Sequence, residues 1–384
     1  MKAFSLVARR SIAMARQTPR SFSTAAYDLY NPTEEHMALR EMLRSFVKDK
    51  VEPQAIDYNR AEKFNVDLFR ELGELGLLGI TVPEKYGGSE MDALAAVIAH
   101  EELSSSDPAF CLSFLAHSML FTNNLARNGS DEQCAKYLPA ACSGEAICGM
   151  AMSEPAVGTD VLGMKTTATK VGDEYILNGT KMWITNGAIN DTELGDTFLD
   201  KCGMRASMTA ELVFENCRVP AANLIGKEGS AVICMMRNLE IERVTLAAMS
   251  LGIARRSIEV MNAYAKDRVA FGKPLNYYGQ IQANIAKSYA EYMAGRAYTY
   301  NTARLMKLDA VGNRVDTDGV KLYCGDMAKT VADRAIQTLG GYGYVGEYNV
   351  ERLWRDSKLL EIGGGTNESH HKNMSRDLMR VSAL

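Results

Sequence analysis

In the stretch RNLEIERVTLAAM, Arg237 to Met249, two carboxylates stand two positions apart at the head of a long apolar run, and an arginine follows the second. A helix turns about 100° per residue, so Glu240 and Glu242 point roughly 200° apart and cannot serve the same pocket. Arg243 lies three positions after Glu240, a neighbour on its face, and the two read as one polar unit. Glu242 is left with Thr245, Leu246 and Met249 around it. A carboxyl on an apolar face pays for its charged form, so its pKa rises and it becomes suited to general-base work. The competing reading is an ordinary helix start, with acids near the positive end of the dipole.

Five further stretches carry residue types that bind or orient a ligand. MAMSEPAVGTD, Met150 to Asp160, joins a strand end, a proline turn and Gly158, so that backbone could approach a flat ring. KMWITNG supplies Trp183, which in isolation reads as core packing. DRVAFGKPL offers Arg268, a phosphate-binding type, and QTLGGYGY a glycine-rich turn with Gly340 and Gly341. EIGGGTNES, Glu361 to Ser369, sets three glycines in a row before a threonine.

The remaining chemistry is excluded by spacing. Eight cysteines contain no CxxC pair and read as small buried hydrophobes in a reducing compartment. Five histidines contain no HExxH, and His370 and His371 stand adjacent near the C-terminus, so no metal site is expected. A net charge of -4 gives no global case for nucleic acid. No run of eighteen apolar residues is present, and no membrane span is expected.

The elements that must position these residues follow from periodicity. Residues 1–27 lack Asp and Glu while holding Lys2, Arg9, Arg10, Arg16 and Arg20, the composition of a mitochondrial presequence, cleaved after Phe22 or shortly beyond. Residues 28–147 show helical spacing in EEHMALREMLRSFVKDKVEP and NVDLFRELGELGLLGI, interrupted by the Pro/Gly loop VPEKYGGSEMD. Residues 148–228 change to short alternating runs, CGMAMSEP, MKTTATKVGDEYILNGTKMWITN and MTAELVFENCRVP, which argue for strands and hairpins. From 229 to 384 long helical runs return and imply an antiparallel four-helix bundle. The fold class is thus multidomain α+β: an N-terminal helical domain, a small middle β domain and a C-terminal bundle.

That order, together with the motifs, resembles the acyl-coenzyme A dehydrogenase family over nearly all of the chain after residue 27. The resemblance implies FAD as cofactor. It places Met150, Met152, Ser153 and Gly158 along the flavin, and Trp183, Ile184 and Thr185 over its ring near N5. It gives Thr159, where serine is commoner, to both cofactor and coenzyme A. It assigns Arg268, Phe271, Gln337, Gly340 and Gly341 to the FAD of a neighbouring subunit, and so implies a homotetramer, a dimer of dimers. Thr366, Asn367 and Glu368 join the cofactor set. The glutamine that the family uses after its Phe-Gly pair aligns with Gly279, leaving Gln280 and Gln282 displaced. Many members carry the base as a glutamate where this chain has Gly364. A subset holds it in a Leu-Glu-Arg-like stretch instead, which falls on Glu242.

By the same resemblance Glu240, Ile241 and Arg243 line the pantetheine arm. A backbone N–H near Gly364 and Gly365, with the flavin ribityl hydroxyl, faces the thioester carbonyl. The implied reaction removes an α-proton through Glu242 and passes the β-hydrogen to the flavin, giving a 2-enoyl thioester. Electrons would go on to electron-transfer flavoprotein in the mitochondrial matrix. Glycines at 363 and 364 leave room for a branched short acyl group, and isovaleryl-coenzyme A is the first-choice substrate, in leucine breakdown.

Between WITN and CGMRASMTAELVF, near 187–203, the family carries roughly thirty more residues, about three strands. What remains, about four strands, should not close a barrel. The expectation is therefore a conserved helical body with weak FAD binding, instability or inactivity, as from a splice variant or faulty gene model; a shortened but working β domain is the alternative.

Overall fold

The computed structural model describes residues 28–187, 199–310 and 314–380. The presequence assigned to residues 1–27 lies outside these, as does most of the stretch from which strands are missing.

The N-terminal block is helical throughout. Helix α1 (Glu34–Phe46) starts at Thr33, whose hydroxyl accepts from His36 N at 3.2 Å, and Glu34 and Glu35 sit in its first turn where the dipole favours acids. A π-type turn, Val47–Val51, carries the chain into α2 (Glu52–Ala61), where Pro53 occupies the first turn and costs no hydrogen bond. After α3 (Val66–Glu74), helix α4 (Ala93–Ser104) is buried at every position, apolar from Ala93 to Ala99 and polar at His100, Glu101, Glu102 and Ser104. Asp107 caps α5 (Pro108–Leu115), and the block closes with α6 (Asn124–Asn128) and α7 (Asp131–Ser143), whose Ser130 and Gln133 form a capping box.

The middle segment holds an antiparallel sheet of three strands among the described residues: β1 (Thr167–Val171), β2 (Glu174–Thr185) and β3 (Thr209–Pro220) in the order β1-β2-β3. A two-residue turn at Gly172 and Asp173 joins β1 to β2, with Gly172 at φ +60° as such turns require. Two of the sequence expectations need correction here. The run CGMAMSEP forms no strand; it is tied to β2 by Met182 N donating to Ser153 O at 2.9 Å, and its only bridge is a local one between Glu154 and Val157. Among the described residues the count is therefore three strands rather than four, and β2 breaks register with β3 between Lys181 and Ile184. The sheet is only lightly packed, since β1 is exposed along its whole length and Val171 and Val213 are 53% and 61% exposed.

The C-terminal block is built on α8 (Ala231–Asp267), 37 residues without a proline. A short hairpin, β4 (Val269–Ala270) with β5 (Lys273–Pro274), turns the chain into α9 (Gly279–Leu305), followed by α10 (Arg314–Leu339), α11 (Val350–Ser357) and α12 (Asn367–Leu378). Helix α8 crosses α4 closely enough that a Cβ on Gly252 would stand 2.1 Å from Ser104 Oγ and 2.5 Å from Glu101 O, so only glycine fits. One apolar core runs through both helical blocks, joining Leu43 and Ile98 to Val244, Leu251, Val320 and Leu360.

A buried ionic cluster rivets the same two blocks. Arg40 of α1 reaches Glu101 at 3.2 Å, Glu102 at 2.5 Å and the Tyr300 hydroxyl of α9, while Arg296 and Arg255 complete the set at 3.0 Å and 2.7 Å from Glu101 and Glu102. Burial pushes the Glu101 carboxyl up, but Arg296, Arg255 and Arg40 outweigh it and hold it at about 2. Of the eight cysteines, Cys111, Cys134, Cys142 and Cys324 are buried as expected; Cys202 is exposed, because it sits in the turn that precedes β3. Among the described residues no helix is long and apolar enough to cross a membrane.

Candidate active site

Helix α8 carries both carboxylates of the opening stretch inward, leaving Glu240 4% and Glu242 6% exposed. Glu242 Oε2 is buried without a hydrogen-bond partner. Burial pushes its carboxyl up to about 7, although Arg243 and Lys321 pull the other way. A carboxyl poised there, with a free oxygen, can accept a proton near neutral pH.

What Glu242 faces is the glycine loop between α11 and α12. A Cβ on Gly364 would lie 3.6 Å from Glu242 Oε1 and 2.3 Å from Leu246 Cδ1, and Gly364 and Gly365 adopt φ +67° and +100°. Only glycine supplies both the space and the backbone there. Glu242 and Leu246 thus share the apolar face inferred from the helical wheel. Ile241 is 3% exposed in the core cluster, so it packs rather than lines an open pocket.

The loop is held from two sides by residues that the sequence did not mark. His370 of α12 places Nε2 3.0 Å from Gly365 O and Nδ1 2.8 Å from Asp318 Oδ1 of α10. Arg243, expected to pair with Glu240, reaches the same Asp318 at 3.0 Å and is thereby anchored to the neighbouring helix. Lys321, 1% exposed on α10, donates to Gly365 O at 2.6 Å. A lysine on the otherwise small and apolar stripe Val320, Cys324, Ala328 and Val331 was the available signal, and His370 had been weighed only as a metal ligand.

The flat-ring candidates gather elsewhere. Trp183 stands at φ +60° in the irregular stretch of β2 and is 53% exposed, while Ile184 is buried and Thr185 half-buried. Beside them, Met150, Met152 and Ser153 are half-buried, and Gly158 and Thr159 are exposed. Glu154 pins this segment, accepting from Lys165 N at 2.6 Å, Thr166 N at 2.9 Å and Lys181 Nζ at 3.0 Å; these donors hold it at about 2. Asn186 donates to Ser113 O and Cys148 O, both at 2.9 Å, fixing the end of β2 to the helical block.

A third group meets at the far end of α10. Arg268, Gly340 and Gly341 line one open groove of about 630 Å³ with Tyr264, Thr338 and Tyr342. Cβ atoms at Gly340 and Gly341 would meet nothing within 4 Å, so both glycines leave backbone open for close approach by a phosphate. Gln337 is exposed one turn earlier, and Phe271 is 97% exposed. Gly279 opens α9; Gln280 and Gln282 are exposed beside it, and Gln282 donates to Asn276 O at 2.9 Å. Two proposed cofactor residues have structural partners. Thr366 caps α12 by accepting from Ser369 N at 3.3 Å, and Asn367 donates to Asp326 Oδ1 at 2.7 Å. Glu368 is exposed in the first turn of α12.

The structure thus holds a buried carboxyl with one unpartnered oxygen at Glu242, an exposed Trp183 on the small sheet and an open groove lined by Arg268, Gly340 and Gly341. Profiles of the acyl-CoA dehydrogenase N-terminal, middle and C-terminal domains match residues 33–145, 149–195 and 229–379. Isovaleryl-CoA dehydrogenase, mitochondrial, of Arabidopsis thaliana is 40% identical over 394 positions, covering 94% of this chain and 95% of that protein. Butyryl-CoA dehydrogenase of Megasphaera elsdenii superposes with a TM-score of 0.85 at 31% identity, covering 94% of this chain and all of the other. A glutaryl-CoA dehydrogenase of Mycobacterium smegmatis, solved with FADH2, gives 0.84 at 28% identity over 92% of this chain and 96% of the other. The chain belongs to the acyl-CoA dehydrogenase family. Since 94% of 384 residues spans 394 aligned positions, gaps in this chain total about thirty positions of the Arabidopsis alignment, and the middle-domain match is short.

Proposed function

We propose that this chain dehydrogenates a short branched acyl-coenzyme A, isovaleryl-coenzyme A first, to the 2-enoyl thioester in the mitochondrial matrix. The observation that carries the reading is the pairing of a buried, unpartnered Glu242 oxygen with the side-chain-free Gly364. Glu242 takes the α-proton, and burial keeps its pKa near that needed at neutral pH. The loop N–H groups at Gly364 and Gly365 orient the thioester carbonyl, and the branch at C3 lies against this side-chain-free loop. Glu240 and Arg243 border the arm of the coenzyme.

The residues present suit FAD: the exposed Trp183, the segment Met150–Ser153 beside it and the open glycines at 340 and 341 offer a ring platform and a phosphate groove. When bound, FAD supplies the acceptor for the β-hydrogen and passes electrons to electron-transfer flavoprotein. Exposed Phe271 and the groove at Arg268 support a homotetramer in which neighbours share these surfaces.

The test is turnover of isovaleryl-, butyryl- and octanoyl-coenzyme A by the purified chain with an artificial electron acceptor, before and after Glu242→Gln. Preference for the branched substrate, lost in the variant, upholds the reading; equal turnover of all three rejects the substrate assignment. The lightly packed three-stranded sheet favours a second reading, a catalytically silent subunit that associates with longer copies. Fusion of residues 1–27 to a reporter tests the location, which fails on cytosolic fluorescence.

A further inference from the structure

We propose that Lys321 is a positioning residue of this site: its ammonium clamps the Gly365 carbonyl from inside the bundle and holds a positive charge beside Glu242. The proposal rests on the reading of Glu242 as the base and adds a second control over it. The geometry is that of a chain passing through three helices. Lys321 on α10 donates to Gly365 O at 2.6 Å, a Cβ on the preceding residue, Gly364, would lie 3.6 Å from Glu242 Oε1, and Lys321 itself is 1% exposed. A buried ammonium with one carbonyl acceptor is costly to desolvate, and the nearby carboxylate is what offsets that cost.

The charged groups around Glu242 show why Lys321 is the one able to tune it. On α8, Arg243 is engaged with Asp318 at 3.0 Å. On α12, His370 is engaged with the same Asp318 and with Gly365 O. On α10, Asp318 thus answers two groups, and Asp326 accepts from Asn367. Lys321 bonds a carbonyl rather than a carboxylate, so its charge is not cancelled by a direct ion pair. Burial pushes Lys321 down to about 8 while Glu242 opposes that fall, and Lys321 in turn limits the rise of Glu242. The two shifts bring the titrations close together: alkali removes the charge of the clamp, and acid protonates the base.

Both functions of Lys321 can be read without turnover. Difference infrared spectroscopy against Glu242→Gln isolates the carboxylic-acid band of Glu242 and its titration midpoint. Hydrogen exchange of the peptide spanning Gly363 and Gly365 reports the clamp. In Lys321→Met the midpoint should rise by roughly one pH unit and the loop should exchange faster. Lys321→Gln keeps a donor but no charge, so the midpoint should rise while exchange stays near that of the parent. Lys321→Arg should return the midpoint to the parent value. Where active protein is obtained, the acid limb of kcat/KM should move with the infrared midpoint. An unmoved midpoint in Lys321→Gln or Lys321→Met that melts like the parent overturns the proposal, as does an equal rise in Lys321→Arg. Failure of the underlying reading looks different: Glu242→Gln would then keep its turnover.

Discussion

The Cβ that Gly364 lacks would stand 3.6 Å from Glu242 Oε1, so the carboxylate faces the one wall position where no side chain can stand. Glycine is required twice over, by Leu246 Cδ1 at 2.3 Å and by φ +67°. Gly364→Ala should therefore cost stability of about 1–3 kcal/mol and lower kcat more than it raises KM. Thermal melting and steady-state kinetics on the same preparation check it. Native melting with unchanged kcat would show that the loop adjusts freely.

The raised pKa of Glu242 makes a prediction about stability as well as rate. Between the ordinary 4.5 and about 7 the folded chain keeps a proton that the unfolded chain has released, so stability falls as pH rises through this window. The shift corresponds to about 3 kcal/mol. Glu242→Gln, which never ionises, should gain that margin over the parent at pH 8 and lose it near pH 4. Urea melts at the two pH values measure the gap, and a constant difference would contradict the buried-carboxyl account. Turnover of the parent should fall on acidification through about 7.

The open sheet predicts a deficit of cofactor. With three strands among the described residues and Trp183 53% exposed, the ring platform lacks cover. Protein purified without added FAD should carry well under one equivalent by visible absorbance. Inserting the family's missing strands between Gly187 and Leu199 should restore the yellow holoprotein. Stoichiometric flavin in the unaltered chain would show that the short sheet suffices.

Phe271 projects 97% exposed from the β4–β5 turn, beside the Arg268 groove. The homotetramer proposed above would cover this side chain. Phe271→Asp should shift the chain to a smaller species by analytical ultracentrifugation while leaving its circular dichroism unchanged. The same sedimentation as the parent would remove this surface from the assembly.

Much of this was readable from local pattern. The 3.6 period set Glu242 and Glu240 on different sides of their helix, whereas Arg268, Gly340 and Gly341 were linked only by the family resemblance, and the structure brings them into one groove. The sheet was overcounted because alternation in CGMAMSEP looks the same with or without a partner strand. Lys321 and His370 stayed hidden for a different reason. Their partner, Gly365 O, is a backbone atom 44 and 5 positions away, and backbone acceptors leave no trace in residue type. Arg40 and Glu101 likewise gave no sign of pairing, being 61 positions apart with ordinary surface residue types.

The rivet of Arg40, Glu101 and Tyr300 has a consequence for the chain as it is made. Arg40 and Tyr300 are 260 positions apart, and Glu101 meets Tyr300 across 199. At about 5–20 residues per second, a ribosome needs roughly 10–40 s to deliver α9 after Glu101 has emerged. Through that interval Glu101 and Glu102 of α4 can meet Arg40 and Arg44, but Arg296 and Tyr300 are not yet there to complete the cluster. The nascent chain must wait for its last third before the first can close, which makes it a natural client for a holding chaperone.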